Sequence, residues 1–135
     1  MSGSIVVDVN LLLRHILNDD KEQAAASRRF LEHAARQGKR LLVLELAIAE
    51  AAWVLTGRGW SHQDIAEALL ALSADDRFEL RDRPIVQHAL RLYAEQNVDW
   101  IDAYQAVYAV ENRAEGVASF DSDYEKLGVK RIEPK

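Results

Sequence analysis

Four carboxylates stand where the surrounding residues do not call for them: Asp8 in the apolar run VVDVN, Glu50 in LELAIAEAAWVL, Asp102 in NVDWIDAYQAVYAV and Asp121 in SFDSDYEKLG. An Asp at a strand end ordinarily caps the helix or turn that follows. Asp102, three residues after the N-cap candidate Asp99, could close a capping box or sit at the positive end of the helix dipole. Glu50 is harder to place. Helical spacing groups it with Leu46, Trp53 and Val54 in a stripe expected to face the core, where an unpaired ionised carboxylate is costly. The nearest cation in sequence, Arg58, is two turns away.

Four like charges converging in one crevice would raise one another's pKa unless a cation neutralised them. Carboxylate oxygens are hard ligands that suit Mg²⁺ or Mn²⁺, whereas zinc more often recruits Cys or His. The chain has no Cys, and His15, His33, His62 and His88 lack ligand spacing. Magnesium held by carboxylates typically meets phosphates, where it activates a water and stabilises the leaving oxygen of an in-line displacement. The chemistry expected of the set is phosphodiester hydrolysis.

The elements that must position these groups alternate. Strands are expected at Ile5–Val9, Arg40–Leu44, Arg77–Leu80, Val117–Phe120 and Val129–Ile132. Helices are expected at Leu11–Leu17, Lys21–Gln37, Glu45–Thr56, Ser61–Ser73, Pro84 to about Asn97, and Asp99–Asn112, with Gly38 and the Gly57-Arg58-Gly59 loop as stops. Helices between strands imply parallel crossovers, hence an α/β sandwich with helices on both faces of a parallel sheet. Parallel strands end on a common edge, and open α/β sheets carry their sites beyond it. Asp8 and Asp121 would both lie there.

A chain of 135 residues fits one domain, residues 1–135, and should bury roughly 68% of its unfolded surface. No repeat, low-complexity tract or linker divides it. The lack of Cys and of any long uninterrupted apolar run points to a cytoplasmic protein without signal peptide or membrane span. With 22 acidic against 17 basic residues the net charge is −5, so the whole-molecule field does not draw in nucleic acid or an anionic membrane.

In order and spacing, Asp8-Val9-Asn10, Glu50 in LAIAEAAWVL, Asp102 in VDWIDAYQA and Asp121 in SFDSDYEKLGV resemble the PIN-domain ribonucleases, most closely the VapC-type toxins of bacterial toxin-antitoxin pairs. The likeness runs over essentially the whole chain. It implies a PIN-like three-layer α/β sandwich with a five-stranded parallel sheet in 3-2-1-4-5 order. It also implies Mg²⁺-dependent endoribonuclease activity, dimers, and inhibition by a cognate VapB-type antitoxin. The metal-binding and catalytic quartet would be Asp8, Glu50, Asp102 and Asp121, with Asp123 as an accessory acid. Many relatives have Ser or Thr where Asn10 stands and Thr where Ser119 stands. Both replacements keep a hydrogen-bonding group and so bear on fine positioning.

An acidic protein that handles RNA needs a cationic rim, and Arg28, Arg29, Arg36, Lys39 and Arg40 form the densest basic run, although a solvated helix face explains it equally well. Trp60 could stack a base, but Ser61 with Asp64 reads as a capping box and Trp60 with Ile65 as the matching hydrophobic staple. The apolar Leu11–Leu17 segment is expected to meet a partner. A receiver-like or phosphatase-like domain with an Asp nucleophile is the alternative; Ser119 and Lys126 fit its accessory positions only loosely.

Overall fold

The computed structural model describes residues 3–135. Its first compact unit runs to Gly59 and takes back Ala71–Arg81, and its second comprises Trp60–Leu70 and Asp82–Lys135. The division falls inside one continuous helix, α4 (His62–Ser73).

In the first unit, strands β1 (Ser4–Val6), β2 (Arg40–Val43) and β3 (Phe78–Leu80) form a parallel ladder in the order β1-β2-β3. Ser4, Ile5 and Val6 lie opposite Arg40, Leu41 and Leu42, and Leu41, Leu42 and Val43 lie opposite Phe78, Glu79 and Leu80. Helix α1 (Val9–Leu17) packs on α2 (Lys21–Arg36) and α3 (Glu45–Gly57), and α2 also packs on β2. Leu12, Leu31, Leu41, Ile48 and Leu55 are fully buried. Each contributes about 1.5–3 kcal/mol of apolar burial.

Strand β1 is shorter than the expected Ile5–Val9. The Val7 N–H still donates to the Leu42 carbonyl at 2.9 Å, but Asp8 then turns the chain into α1, which claims Val9 and Asn10. A carboxylate that caps a helix cannot also continue the strand.

In the second unit, β4 (Val117–Ala118) and β5 (Arg131–Ile132) pair in parallel. Helix α5 (Arg83–Gln96) packs on α6 (Trp100–Glu111), and a 3-10 helix, Ser122–Leu127, packs on both. His62 stacks on Tyr93 with ring centroids 4.1 Å apart, its Nε2–H donating to the Val98 carbonyl at 3.0 Å, and Tyr93 meets Trp100 edge-on. The Ser61 hydroxyl accepts the Asp64 N–H at 3.1 Å, as its capping role required.

Gly116 is fixed by proximity. A Cβ there would lie 2.4 Å from the Lys130 carbonyl oxygen and 3.2 Å from the Ile132 side chain. Only glycine lets β4 come this close to β5.

Among the described residues the strands form two ladders, β1-β2-β3 and β4-β5, in place of the single five-stranded sheet expected in 3-2-1-4-5 order. β4 has two residues, and the N–H groups of Val117 and Ser119 donate to the Lys130 and Ile132 carbonyls.

Candidate active site

Asp8 and Asp121 are built alike. Asp8 is the N-cap of α1, its Oδ2 accepting the Asn10 N–H at 3.0 Å. Asp121 is the N-cap of the 3-10 helix, its Oδ1 accepting the Asp123 N–H at 2.8 Å. In each case one carboxylate oxygen is held by the backbone two residues on, which aims the other at solvent; both residues are exposed. Asn10 thus helps position Asp8 through its main chain. Ser119 acts through its side chain, accepting the Asp121 N–H on Oγ at 2.9 Å.

The first unit places Glu50 contrary to expectation. It is exposed, as are Leu46 at 79% and Trp53 at 77%, while Ile48, Ala51, Ala52 and Leu55 face the core. Helix α3 is apolar on nearly every side, so its periodicity does not mark an inward face, and the compact Ile/Ala/Ala/Leu face packs inward instead. No desolvation cost therefore falls on Glu50. The apolar surface expected on the Leu11–Leu17 segment lies here too. In α1, Leu12 and Leu13 are buried and Leu11, Ile16 and Leu17 half-buried, while Leu46 and Trp53 stand in solvent on either side of Glu50. At the carboxyl edge of the first ladder, Arg81 after β3 pairs with Glu45 after β2 at 3.4 Å.

The second unit surrounds Asp102 with acids. Asp102 lies in the first turn of α6, where Asp99 is the backbone N-cap but makes no side-chain cap bond. No capping box forms. The Tyr124 hydroxyl instead lies 3.0 Å from Asp102 Oδ1 and 2.6 Å from Gln105 Oε1. It has one proton to give, and the ionised carboxylate is the stronger acceptor. The phenol oxygen can then accept from the Gln105 amide, turned by half a revolution. Burial raises the Asp102 pKa, the Tyr124 bond opposes that, and the charges of Asp99, Asp121 and Asp123 add to the rise. Burial, then the bond to Asp102, then the charges of Asp102 and Asp121 push Tyr124 up to about 12. Tyr124 therefore stays a protonated donor throughout the physiological range.

Tyr124 was not among the residues read from the sequence. The phenol meets a carboxylate 22 positions away, and no local spacing announces that. Asp123, expected as an accessory acid, lies 3.9 Å from Lys126 one turn on.

Among the described residues, no group of three or more His, Asp or Glu is gathered so as to hold a metal ion directly. The donor chemistry nevertheless fits a hard divalent cation. Every candidate ligand is a carboxylate, and after burial the charges of Asp99, Asp121 and Asp123 add to the rise in the Asp102 pKa, a rise that a cation would offset. Among the histidines, His62 is committed to Tyr93 and Val98, and the Nδ1 of His15 is buried without a partner. Burial and the neighbouring Arg77 and Arg28 lower the His15 pKa, with Asp75 opposing.

The basic run is elsewhere. Lys39 and Arg40 stand at the amino end of β2, the edge opposite Asp8 in the same ladder. Arg40 donates to the Ser4 hydroxyl at 3.1 Å and pairs with Glu79 at 3.6 Å. Arg28 reaches Asn18 at 3.3 Å, and Arg29 and Arg36 are exposed on α2. A cavity of about 320 Å³ opens at this amino edge, lined by Lys39, Arg40, Arg77, Asp76 and Glu79 among others. Its charges are mixed, and none of the candidate carboxylates lines it.

Strand-end carboxylates on an α/β chain, joined by a further acid held on a helix, define a class, and comparison with known proteins names it. The PIN domain family matches residues 5–130, and the chain belongs to that family. The VapC ribonuclease of Aquifex aeolicus (strain VF5) is 28% identical over 130 residues, 96% of this chain and 96% of the relative. The resemblance read from four short motifs thus extends over the chain. No helix among the described residues is long and apolar enough to cross a membrane.

Proposed function

We propose that the protein is a divalent-metal-dependent endoribonuclease and the toxin of a type II toxin-antitoxin pair, acting in the cytoplasm. The observation that carries this reading is the acidic group around Asp102. A half-buried carboxylate whose pKa is raised first by burial and then by the charges of Asp99, Asp121 and Asp123, and which a neutral phenol holds in place, is suited to a cation. Membership of the PIN-domain family and the likeness to a VapC ribonuclease supply the substrate class.

In this reading Asp8, Glu50, Asp102 and Asp121 hold Mg²⁺ or Mn²⁺, with Asp123 accessory, and the ion when bound activates a water and neutralises charge on the phosphate. The chain's own contribution is positional. The caps at Asp8 and Asp121 fix the rotation of each carboxylate, Ser119 fixes the backbone beneath Asp121, and Tyr124 fixes Asp102. Pre-set ligands lower the cost of organising the reaction.

The receiver-like alternative lacks support. The Ser119 hydroxyl is engaged by the Asp121 N–H, and Lys126 faces Asp123. For partners, the reading includes a VapB-type antitoxin and a homodimer, and the exposed Leu46 and Trp53 beside Glu50 supply an apolar surface for such a contact. Sedimentation of a monomer, unchanged by the product of a neighbouring gene, would remove that part.

The test is direct. Purified protein incubated with total RNA should yield discrete cut ends with Mg²⁺ or Mn²⁺ and none with EDTA. Cleavage that persists in EDTA, or no cleavage with either metal, overturns the reading.

A further inference from the structure

Phe120 is a large apolar ring displayed to solvent on a backbone that cannot easily move. It is 77% exposed, yet the main chain around it is tied on every side. The Ser119 N–H donates to the Ile132 carbonyl at 3.0 Å, and the Asp121 N–H donates to Ser119 Oγ at 2.9 Å. The Arg131 guanidinium donates to the carbonyls of Ser119 at 3.4 Å and Phe120 at 3.5 Å. Arg131 is itself largely covered and anchored to Glu125 at 3.0 Å.

We propose that Phe120 is a stacking platform for a nucleobase of single-stranded RNA, seating the nucleotide whose phosphate is presented to Asp121; the proposal rests on the ribonuclease reading above. Three features favour a base as the occupant. The ring is adjacent in sequence to Asp121, so the two Cα atoms are about 3.8 Å apart, and one nucleotide is long enough for its base and its phosphate to be engaged by neighbouring residues. The flanking residues Ser119, Asp121, Ser122 and Asp123 are all polar, so the segment itself carries no second apolar side chain beside the ring to extend it into a larger protein-binding surface. Finally, a ring on an immobilised backbone loses little freedom on binding, and its π-face accepts any base. The protein's net charge of −5 makes a non-ionic grip on RNA the more useful.

The experiment compares wild type with Phe120→Ala, Phe120→Leu and Phe120→Trp on a short labelled single-stranded oligoribonucleotide, in two readouts. Steady-state cleavage separates KM from kcat, and fluorescence anisotropy in EDTA reads binding without turnover. Stacking on one base corresponds to a loss of about 5- to 150-fold on truncation. Phe120→Ala and Phe120→Leu should both raise KM, and weaken binding, within that range while kcat changes less than about twofold. Phe120→Trp should restore both, and all variants should melt as wild type does because the ring is exposed.

Unchanged KM and binding in Phe120→Ala, or a Leu variant as good as the Trp one, overturns the platform. Normal KM with lost association to a protein partner assigns the ring to a protein interface instead and also overturns it. Wild type that does not cleave but binds the oligonucleotide through Phe120 would overturn the ribonuclease reading alone.

Discussion

The candidate acids of the first unit are exposed, whereas Asp102 of the second is half-buried and feels the charges of other acids. Asp8 and Glu50 are exposed, and Glu50 has bare apolar side chains one helical turn to either side. In the second unit Asp102 is half-buried, bonded to a phenol and faced by Asp99, Asp121 and Asp123. The same residue type therefore meets two different fields, one open and one already loaded with negative charge. Within the second unit, a cation would have the most negative charge to neutralise beside Asp102.

The largest effect expected from this contrast is on turnover. Asn can cap a helix as Asp does, so Asp8→Asn and Asp121→Asn leave both caps in place and remove only a charge and a ligand. Each should slow RNA cleavage in Mg²⁺ by on the order of a thousandfold, since a ligand's share of transition-state stabilisation is several kcal/mol. Initial rates decide it. A wild-type rate in either variant detaches that unit's carboxylate from the chemistry.

A smaller effect should follow from Tyr124→Phe, which keeps the ring and deletes the hydrogen bond to Asp102. A bond to a charged group is worth about 1.5–3 kcal/mol, so cleavage should fall roughly tenfold or somewhat more. The bond lowers the Asp102 pKa, so its loss should let that pKa climb and move the acid limb of the pH–rate profile upward. A fall in rate without movement of the limb would mean that Tyr124 acts only through packing.

The smallest effect is on stability without metal. The folded pKa of Asp102 lies above its unfolded value, so its contribution is fully present below the unfolded pKa and is lost as pH rises through the folded one. In EDTA, stability from this residue should thus decline between acid and neutral pH. Asp121→Asn removes one of the charges responsible and should raise the neutral-pH Tm by a few degrees, for a gain of about 0.5–1 kcal/mol. Asp8→Asn should gain less, because the charges that act on Asp102 are those of Asp99, Asp121 and Asp123. Equal gains would mean that the Asp121 charge has no particular effect on Asp102.

Asp8 and Asp121 were legible in the sequence because each falls where the hydrophobic period changes, and a polar residue at such a boundary has few roles open to it. Helix limits were legible for the same reason; α2 starts at the expected Lys21, and Asn97, expected as the last residue of α5, is its left-handed C-cap. Glu50 was misplaced because α3 offers two apolar faces, and which turns inward depends on how tightly Ile48, Ala51, Ala52 and Leu55 pack, a three-dimensional matter. Strand β1 came out shorter than expected for a local reason, since the capping carboxylate of Asp8 ends it early. Tyr124 and the Arg131 clamp were invisible because each joins segments whose approach depends on the fold as a whole.

Gly116 carries the last consequence, and it concerns heredity more than chemistry. It bears no functional group, yet any other side chain there would push Lys130 and Ile132 away from β4. The displacement would pass to Ser119, which is tied to Ile132, and from Ser119 to Asp121. A collection of spontaneous loss-of-activity mutants should therefore include changes at Gly116 alongside those at the carboxylates, marking a codon whose constraint is spatial although its residue does no chemistry.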